Sequence, residues 1–331
     1  MRIISGPDLD QLFTFPELVE TLRLAFRRGA VAPVRHHHRI HLPDEPAATL
    51  LLMPAWDDPS ASEEGASRFM GVKIVSIYPG NSQRGKPSIA GAYLLMSGES
   101  GEALALIDGL ALTLWRTAAA SALAASFLAR ADVSRLVMVG AGALAPFLIA
   151  AHASVRPIAE VAIWNHNPQR AEALAAECAG RPYSVRAVDD LEAAVRSADI
   201  VSCATLSREA LVKGAWLKPG AHLDLVGAFT PEMRESDDEA VRRARIYVDT
   251  QAGALSEAGD IVQPLRSGII GERDICGDLF DLCRGEAVGR RSAEEITLFK
   301  SVGTAIEDLA AAIHFYNQAR QPSLEHESWL T

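Results

Sequence analysis

The sequence predicts an α/β protein of two domains, a smaller α+β domain followed by a doubly wound parallel sheet. Its 331 residues suit about two domains of roughly 150 residues each. From Arg135 onward, strand-like and helix-like segments alternate, which is typical of a parallel sheet with helices on both faces. Between the first of these strands and its helix lies a glycine-rich turn, Val139–Ala145, of the kind that binds phosphates at the edge of such sheets.

Residues 1–115 are expected to form the α+β domain. Apolar residues recur at helical spacing over Phe15–Arg28, where Pro16 stands at a permitted helix start. Strand-like runs follow without intervening helices, so a mostly antiparallel or mixed sheet is predicted. The runs are Val34–Leu42, Thr49–Pro54, Phe69–Tyr78, Gly91–Met96 and Ala103–Asp108. Ser97–Gly101 is predicted to be the hairpin turn between the last two.

An Ala- and Leu-rich helix over Leu110–Ala131 is predicted to lead into the parallel sheet. The predicted strands of that sheet are Leu136–Val139, Val161–Trp164, Val185–Val188, Ile200–Ala204, His222–Val226 and Ile246–Val248. The predicted helices between them are Ala143–Ala153, Pro168–Cys178 and Leu191–Arg196. A last helix is predicted over Ala293–Gln318, and we expect part of it to return to the first domain. The expected domains are therefore residues 1–115 with about 305–331, and residues 116–304.

Composition and charge narrow the functional classes. Hydrophobic residues make up 49% of the chain and charged residues 22%, as in globular proteins with a large core. The formal net charge of −10 argues against nucleic acid as a partner, because phosphate binding needs a basic face. We find no apolar run of membrane-spanning length and no signal peptide, so no membrane partner is expected. The four cysteines include no C-x-x-C pair, which predicts free thiols in a reducing cytoplasm.

The glycine-rich turn has the spacing G-x-G-x-x-A, directly after an apolar strand and before a helix. Gly140 permits the tight turn, Gly142 lets the backbone approach a pyrophosphate, and Ala145 keeps the helix close to the sheet. The helix N-terminus then offers N–H groups and partial positive charge to phosphates. A turn that merely joins strand to helix is the alternative. In this context, the pattern favours a Rossmann dinucleotide-binding unit.

The end of the second strand indicates which nucleotide is bound. NAD enzymes usually carry an acidic residue there for the ribose hydroxyls. Glu160 lies at the wrong end of this strand, and the relevant end is Asn165-His166-Asn167, which has no carboxylate to repel a 2′-phosphate. Arg170 is close enough to assist, unless it is only a solvated helix residue. We therefore expect NADPH to be preferred and NADH to be tolerated.

Segments outside the glycine turn carry a resemblance that runs almost end to end. They are Pro33–Arg35, Met53–Trp56, Gly71–Lys73, Arg116–Ser121, Gly140–Gly142, Ala162–Asn165, Leu225–Ala228 and Phe299–Gly303. On these residues the chain resembles the ornithine cyclodeaminase/mu-crystallin family, which includes cyclodeaminases, amino-acid dehydrogenases and ketimine reductases. The resemblance implies a homodimer in which the N-terminal domain, completed by the C-terminal helix, serves both substrate binding and dimerisation.

The resemblance also implies roles for individual side chains. Arg35 and Arg116 match positions that hold the substrate carboxylate, to which a guanidinium fork donates two hydrogen bonds. Lys73 matches the active-site lysine, which either binds the carboxylate or manages the proton on the substrate nitrogen. Lys73 and Arg116 are thus the candidate catalytic residues. Met53 and Ser88 are expected in the substrate site.

The implied cofactor site joins the glycine turn to later segments of the chain. Arg116 and Thr117 match positions near the phosphates and the nicotinamide ribose. The full expected set is Arg116, Thr117, Gly140, Ala141, Gly142, Ala143, Leu144, Asn165, His166, Asn167, Arg170, Thr205, Leu206, Val226, Lys300 and Ser301.

One departure from the family pattern shapes the functional prediction. In ornithine cyclodeaminases the segment after the Val-Gly turn carries an aspartate that holds and deprotonates the distal amine. Here Phe229 occupies the matching position and cannot accept a proton. An aromatic wall at this substrate-binding position suits a substrate whose ring is already closed. The resemblance therefore implies NAD(P)H-dependent reduction of cyclic ketimine carboxylates, Δ1-pyrroline-2-carboxylate to L-proline and Δ1-piperideine-2-carboxylate to L-pipecolate.

Three alternatives stay open. An ornithine cyclodeaminase with a substituted base would release ammonia from ornithine using catalytic NAD. An amino-acid dehydrogenase or open-chain imine reductase would use a keto acid with ammonia or methylamine. A non-enzymatic, crystallin-like protein would bind NADPH with little turnover.

A histidine run, His36-His37-His38, raises the question of a metal site. On a strand, neighbouring side chains point to opposite faces, so His36 and His38 share one side and His37 lies on the other. No cysteine or carboxylate completes a set of ligands by spacing. No metal is therefore expected.

Overall fold

A computed structural model describes residues 1–12, 14–43, 45–58 and 68–320. The chain divides into two compact units. Among the described residues, the first contains those of Met1–Thr21, Ala30–Thr113 and 305–320, and the second contains those of Leu22–Gly29 and Leu114–Thr304. The predicted extension of the first domain over residues 321–331 lies outside the described residues.

The strands of the described chain are β1 (Arg2–Ile4), β2 (His36–Ile40), β3 (Ala48–Trp56), β4 (Phe69–Ile77), β5 (Ile89–Ser97), β6 (Ala103–Asp108), β7 (Arg135–Val139), β8 (Glu160–Trp164), β9 (Ser184–Ala187), β10 (Ile200–Cys203), β11 (His222–Leu225), β12 (Arg245–Val248), β13 (Ile275–Asp278) and β14 (Thr297–Lys300). The helices are α1 (Gly6–Leu12), α2 (Phe15–Arg28), α3 (Gly109–Leu128), α4 (Ala145–Val155), α5 (Pro168–Glu177), α6 (Leu191–Ser197), α7 (Asp238–Arg243), α8 (Gln251–Glu257), α9 (Gly259–Arg266), α10 (Leu279–Arg284) and α11 (Ala305–Arg320).

The first unit is built on a mixed sheet with the strand order β1-β6-β5-β4-β3-β2 among its described residues. β1 pairs with β6 in parallel, and the other pairs are antiparallel, which confirms the predicted kind of sheet. Helix α11 packs on β3, β4 and β5. The face beneath it carries Met53, Lys73 and Tyr93, which lie side by side in the ladder and are buried.

The second unit is built on a parallel sheet with the order β13-β12-β14-β11-β10-β7-β8-β9 in the described chain. Its central strands are buried on both faces, as expected for a parallel sheet covered by helices, and they include the buried polar residues Ser202, His222 and Asp224. The order reverses at β7, where the chain proceeds to β8 on one side and later returns to β10 on the other. Ligands of such folds bind outside the carboxyl ends of the strands at this point.

The prediction for the end of the second unit was wrong in part. A single helix was predicted over Ala293–Gln318, whereas the structure has β14 followed by α11. Thr297–Lys300 is inserted between β11 and β12, where its buried backbone gains ladder hydrogen bonds on both sides. Gly303 then adopts a positive φ of 79°, which ends the extended segment before α11 begins.

Helix α3 also corrects an expectation. Over Gly109–Leu128 it is long and apolar enough to cross a membrane by length and composition alone, although no such run was expected. However, 67% of this stretch is buried inside the structure. Small residues on every side, such as Ala118–Ala120, allow close packing, which is the pattern of a central core helix.

Candidate active site

The glycine turn leaves β7 at the reversal point of the parallel sheet. Gly140 has a φ of 110°, and a Cβ there would lie 2.7 Å from the carbonyl oxygen of Ala204, so only glycine fits. At Gly142 a Cβ would meet no protein atom within 4 Å. The space over Gly142 is thus open to a ligand. Leu144 is the N-cap of α4 and makes no side-chain capping bond, so no protein side chain occupies this helix end. The Ala145 N–H donates to the Gly142 carbonyl at 3.0 Å, and Pro146 has no N–H, so an anion here is favoured chiefly by the partial positive charge of the helix end.

A cavity of about 410 Å³ lies at this edge of the sheet. It is bounded by the glycine turn, the end of β8 and the segment after β10. Its lining residues are Gly140, Ala141, Gly142, Trp164, Asn165, His166, Arg170, Ala204, Thr205, Leu206, Ser207 and Leu211. Eight residues of the expected cofactor set are among them. Ala143 lines an adjoining groove of about 430 Å³ on the other side of the turn, which Arg170 also borders.

The end of β8 is tied to the glycine turn by Asn165. Its Oδ1 accepts a hydrogen bond from the Ala141 N–H at 3.3 Å, and its Nδ2 donates to the Asn167 carbonyl at 3.0 Å. Asn167 itself caps α5, because its side chain accepts from the Gln169 N–H. Asn165 therefore borders the cavity without adding negative charge.

Two expected cofactor residues, Lys300 and Ser301, have buried side chains that bond within the second unit. Lys300 Nζ lies 3.2 Å from Asp260 Oδ2 and 4.0 Å from Glu235 Oε2, and all three side chains are fully buried. The Ser301 hydroxyl donates to Asp249 Oδ2 at 3.0 Å. Both side chains therefore support the strand ends next to the cavity.

Glu235 connects two of these strand ends. Its Oε1 accepts hydrogen bonds from the N–H and the hydroxyl of Thr205, at 2.6 and 2.8 Å. Its Oε2 accepts from the N–H groups of Gly227 and Ala228, at 2.8 and 3.3 Å. Burial raises the pKa of Glu235, while the nearby charge of Lys300 opposes the increase. The carboxylate thus holds the segments after β10 and β11 together.

Arg116 and Thr117 lie on α3 and are nearly completely buried. The Arg116 guanidinium lies against Gly303, which follows β14 by three residues. Val226, at the end of β11, is also buried, and its N–H donates to the Cys203 carbonyl. Phe229 is 37% exposed, so its ring is available to a ligand.

In the first unit, Met53 and Lys73 are direct cross-strand neighbours on the face covered by α11. Arg35 directly precedes β2, whose first residue, His36, pairs with Leu52, the neighbour of Met53 on β3. Arg35 therefore lies at the start of the strand next to β3. Ser88 lies elsewhere, since it is five residues along from Tyr93, the partner of Lys73, or roughly 17 Å of strand.

Lys73 forms a buried ion pair with a residue that the sequence did not point to. Its Nζ lies 2.9 Å from Oδ1 and 2.8 Å from Oδ2 of Asp308 on α11. Burial also raises the pKa of the neighbouring Tyr93 well above its ordinary value, and the charge of Asp308 contributes to this. Lys73 is therefore held at a fixed position under the helix.

The histidine run is as the strand pattern predicts. His36 and His38 stack edge to face with ring centroids 6.3 Å apart, so they share one side of β2. Within the described residues, no group of three or more His, Cys, Asp or Glu side chains is arranged to hold a metal ion.

Several site residues were not found from the sequence: Glu235, Asp249, Asp260, Gly303 and Asp308. For Asp249 a signal existed, because it directly follows the apolar strand β12 and so lies at the carboxyl edge of the sheet. Gly303 ends the segment Phe299–Gly303 that carries the family resemblance, although no role was predicted for it. Glu235, Asp260 and Asp308 depend on segments that meet only in the folded chain. The spacing of residues along the chain does not indicate which distant segments come into contact in the fold.

The chain resembles known proteins in family, in sequence and in structure. Residues 7–323 match the ornithine cyclodeaminase/mu-crystallin family, which confirms the resemblance seen in the sequence. An uncharacterized protein of Schizosaccharomyces pombe is 43% identical over 323 residues, covering 94% of this chain and 95% of that protein. The Delta(1)-pyrroline-2-carboxylate reductase of Paracoccus denitrificans is 39% identical over 289 residues, covering 87% and 89%.

Solved structures are similar to this chain over nearly its whole length. The Delta(1)-pyrroline-2-carboxylate reductase of Thermococcus litoralis, in complex with NADH and L-proline, has a TM-score of 0.87 and 34% identity, covering 96% of this chain and 97% of that one. An archaeal alanine dehydrogenase dimer with bound NAD has a TM-score of 0.85 and 31% identity, covering 96% of both chains. These similarities confirm the predicted α/β fold.

Proposed function

Because the chain belongs to the ornithine cyclodeaminase/mu-crystallin family, we propose that it reduces cyclic ketimine carboxylates. The protein is an oxidoreductase that acts on C=N bonds and uses a nicotinamide cofactor. The proposed substrates are Δ1-pyrroline-2-carboxylate and Δ1-piperideine-2-carboxylate, giving L-proline and L-pipecolate. The observation that carries this proposal is the similarity, over 96% of the chain, to a reductase that holds NADH and L-proline.

The cofactor edge fits a dinucleotide. The open space over Gly142 and the uncapped start of α4 suit a pyrophosphate, which a side chain at Gly142 would obstruct. When bound there, the nicotinamide supplies the hydride. The residues we assign to this site are those expected from the sequence, with Lys300 and Ser301 acting through the buried carboxylates that they contact.

NADPH is the cofactor we propose to be preferred. Asn165 ends β8 without a carboxylate, and Arg170 lines the same cavity. A 2′-phosphate at this place would meet a guanidinium and no repelling charge. The similar structures hold NADH or NAD, so NADH is expected to be accepted as well.

The substrate roles follow the chemistry of a cyclic imine. Arg116 and Arg35 bind the carboxylate, since each presents a planar fork of donors. Lys73, oriented by Asp308, keeps the ring nitrogen protonated, directly or through a water. A protonated imine accepts hydride at C2 far better than a neutral one. Phe229 offers an apolar wall to the ring and provides no base for cyclodeamination.

We further propose a homodimer that buries the outer face of the first unit's sheet. Side chains alternate along a strand, so Leu52, Val72, Ile74 and Leu94 point away from Lys73 and from α11. They are apolar and only half buried, and Ile74 is 39% exposed. An apolar sheet face of this kind is typical of a protein interface. Ile74→Lys should lower the mass found by sedimentation equilibrium towards that of a monomer, and an unchanged mass would argue against this face.

The functional proposal is tested by mixing purified protein with each substrate and following the reduced cofactor at its absorbance maximum. The substrates are the two cyclic imines, ornithine, and pyruvate with ammonia or methylamine, each with NADPH and with NADH. Consumption of cofactor with a cyclic imine supports the proposal. Ammonia release from ornithine would indicate a cyclodeaminase, and turnover only with pyruvate and an amine would indicate a dehydrogenase or open-chain imine reductase. Cofactor binding without turnover would indicate a binding protein.

A further inference from the structure

The guanidinium of Arg116 lies directly on the backbone of Gly303. A Cβ placed on Gly303 would come within 2.5 Å of Nη1, 3.0 Å of Nη2 and 3.2 Å of Cζ. All three distances are shorter than ordinary contacts. Gly303 also has a φ of 79°, a conformation that other L-residues rarely adopt. The absence of a side chain therefore makes room for the Arg116 head group.

The backbone beneath Arg116 is held by one buried carboxylate. Asp249 Oδ2 accepts hydrogen bonds from the Ser301 hydroxyl at 3.0 Å, the Val302 N–H at 2.7 Å and the Gly303 N–H at 2.6 Å. Its Oδ1 accepts from the Thr250 N–H at 2.6 Å. Asp249 is fully buried at the end of β12, next to β14 in the sheet. Residues 301–303, which we call the Arg116 seat, are thus fixed relative to the parallel sheet.

We propose that Asp249 and Gly303 are positioning residues for Arg116, and that the Arg116 seat sets the direction in which its guanidinium meets the substrate carboxylate. The inference rests on the proposed function, because it assigns Arg116 that role. A two-point contact with a carboxylate needs the guanidinium plane to be oriented, since the donors form a rigid fork. An arginine side chain has many rotamers, and a fixed surface under its head group removes most of them before the substrate binds.

The Arg116 seat and the edge that binds the pyrophosphate are formed by different segments of the second unit. The pyrophosphate edge is formed by the turn after β7, whereas the seat follows β14 and is bonded to the end of β12. A change in the seat should therefore alter use of the carboxylate substrate more than binding of the cofactor. A general loss of folding would weaken substrate use and cofactor binding alike, so it would not produce this difference.

The experiment compares Gly303→Ala with Gly268→Ala. Gly268 has nearly the same backbone conformation, with a φ of 72°, but a Cβ there would meet nothing within 4 Å. Gly268→Ala thus reports the cost of the backbone conformation alone. We expect Gly303→Ala to raise the KM for the cyclic imine by at least roughly tenfold, the effect of weakening a charged hydrogen bond. Arg116 and Ser301 also belong to the expected cofactor set, so the dissociation constant for NADPH, measured by fluorescence, is followed as a second readout. It should rise less than the KM for the imine in Gly303→Ala and stay within about twofold of the parent value in Gly268→Ala.

A double-mutant cycle identifies the residue through which Gly303 acts. If the seat acts through Arg116, Gly303→Ala should have little further effect on KM in an Arg116→Ala background. Additive effects in the two backgrounds would overturn the inference, as would equal KM values for Gly303→Ala and Gly268→Ala. Asp249→Asn, which keeps an acceptor but loses the charge, should raise the KM with the same dependence on Arg116, and its failure to do so would remove Asp249 from the proposal.

The cycle also distinguishes this inference from the proposed function. If Arg116→Ala itself left the KM and turnover near the parent values, the assignment of Arg116 to the carboxylate would be wrong. If Arg116→Ala were damaging while Gly303→Ala behaved like Gly268→Ala, the proposed function would stand and only the seat would be wrong.

Discussion

Lys73 Nζ lies within 2.9 Å of both carboxylate oxygens of Asp308, and the two side chains are 3% and 0% exposed. The pair joins β4 to α11 inside the first unit. A buried ion pair is not in itself a large source of stability, because both charges leave water. Its cost is acceptable where the charge is needed, and Lys73 is the residue to which we assign the proton on the substrate nitrogen.

Asp308→Asn should therefore impair both folding and catalysis. Removing one partner of a buried pair costs roughly 3–5 kcal/mol, whereas replacing both partners by groups of similar size costs less. We expect urea unfolding to show a larger loss of stability for Asp308→Asn than for Lys73→Met with Asp308→Asn. Equal losses in the single and double variants would contradict a specific pair.

Lys73→Met alone should nearly abolish imine reduction, with NADPH binding retained.

His222 is expected to make stability depend on pH. It is fully buried on β11, and burial lowers its pKa to about 3. The Thr297 hydroxyl donates to the Leu128 carbonyl, so the Nδ1–H of His222 donates to Thr297, at 3.0 Å. Among the described residues Nε2 has no hydrogen-bond partner, so a second proton would have no acceptor.

The sign of the pH effect follows from these two states. The unfolded chain takes up the proton near pH 6.5, well above the folded pKa, so stability is complete above that pH and is lost as the pH falls. By pH 5 the loss from this group is about 2 kcal/mol. His222→Gln should remove that part of the slope in urea unfolding measured from pH 7 to pH 5. His41→Gln, at an exposed position, serves as the control and should leave the slope unchanged. A His222→Gln slope equal to that of the parent would argue against a neutral buried imidazole.

Much of this architecture was predictable because the apolar residues of most segments recur with a single period, that of a helix or that of a strand. Six strands of the parallel sheet, β7 to β12, and the helix Phe15–Arg28 follow directly from apolar spacing, whereas β13 was not predicted. β14 was missed because helix-forming residues at 293–295 precede a four-residue strand whose stability comes from its two neighbours in the sheet. Asp249 and Ser301 are 52 residues apart in the chain, so their hydrogen bond is a property of the fold and leaves no local pattern.

Asn165→Asp should shift cofactor use towards NADH. The new carboxylate would still accept the bond from the Ala141 N–H, so the glycine turn should keep its shape. It would also place negative charge beside the cavity where we assign the 2′-phosphate. We expect the ratio of kcat/KM for NADPH over NADH to fall on the order of tenfold or more, since like charges at an interface are costly. Arg170→Ala should lower only the NADPH value, and an unchanged ratio in both variants would mean that the ribose pocket lies elsewhere.

Replacing Glu235 tests whether the edge of the sheet that binds the cofactor depends on a buried carboxylate. Its two oxygens together accept four hydrogen bonds, two from Thr205, one from Gly227 and one from Ala228. Glu235→Gln keeps the shape but turns one acceptor into a donor, which then faces an N–H group. An unsatisfied buried group costs about 1–3 kcal/mol, so the free energy of unfolding should fall by that amount. Because Thr205 lines the cavity, the dissociation constant for NADPH should rise as well. A matched Glu272→Gln, at an exposed position before β13, should affect neither quantity. Loss of stability with unchanged NADPH binding would show that the segment after β10 does not contact the cofactor.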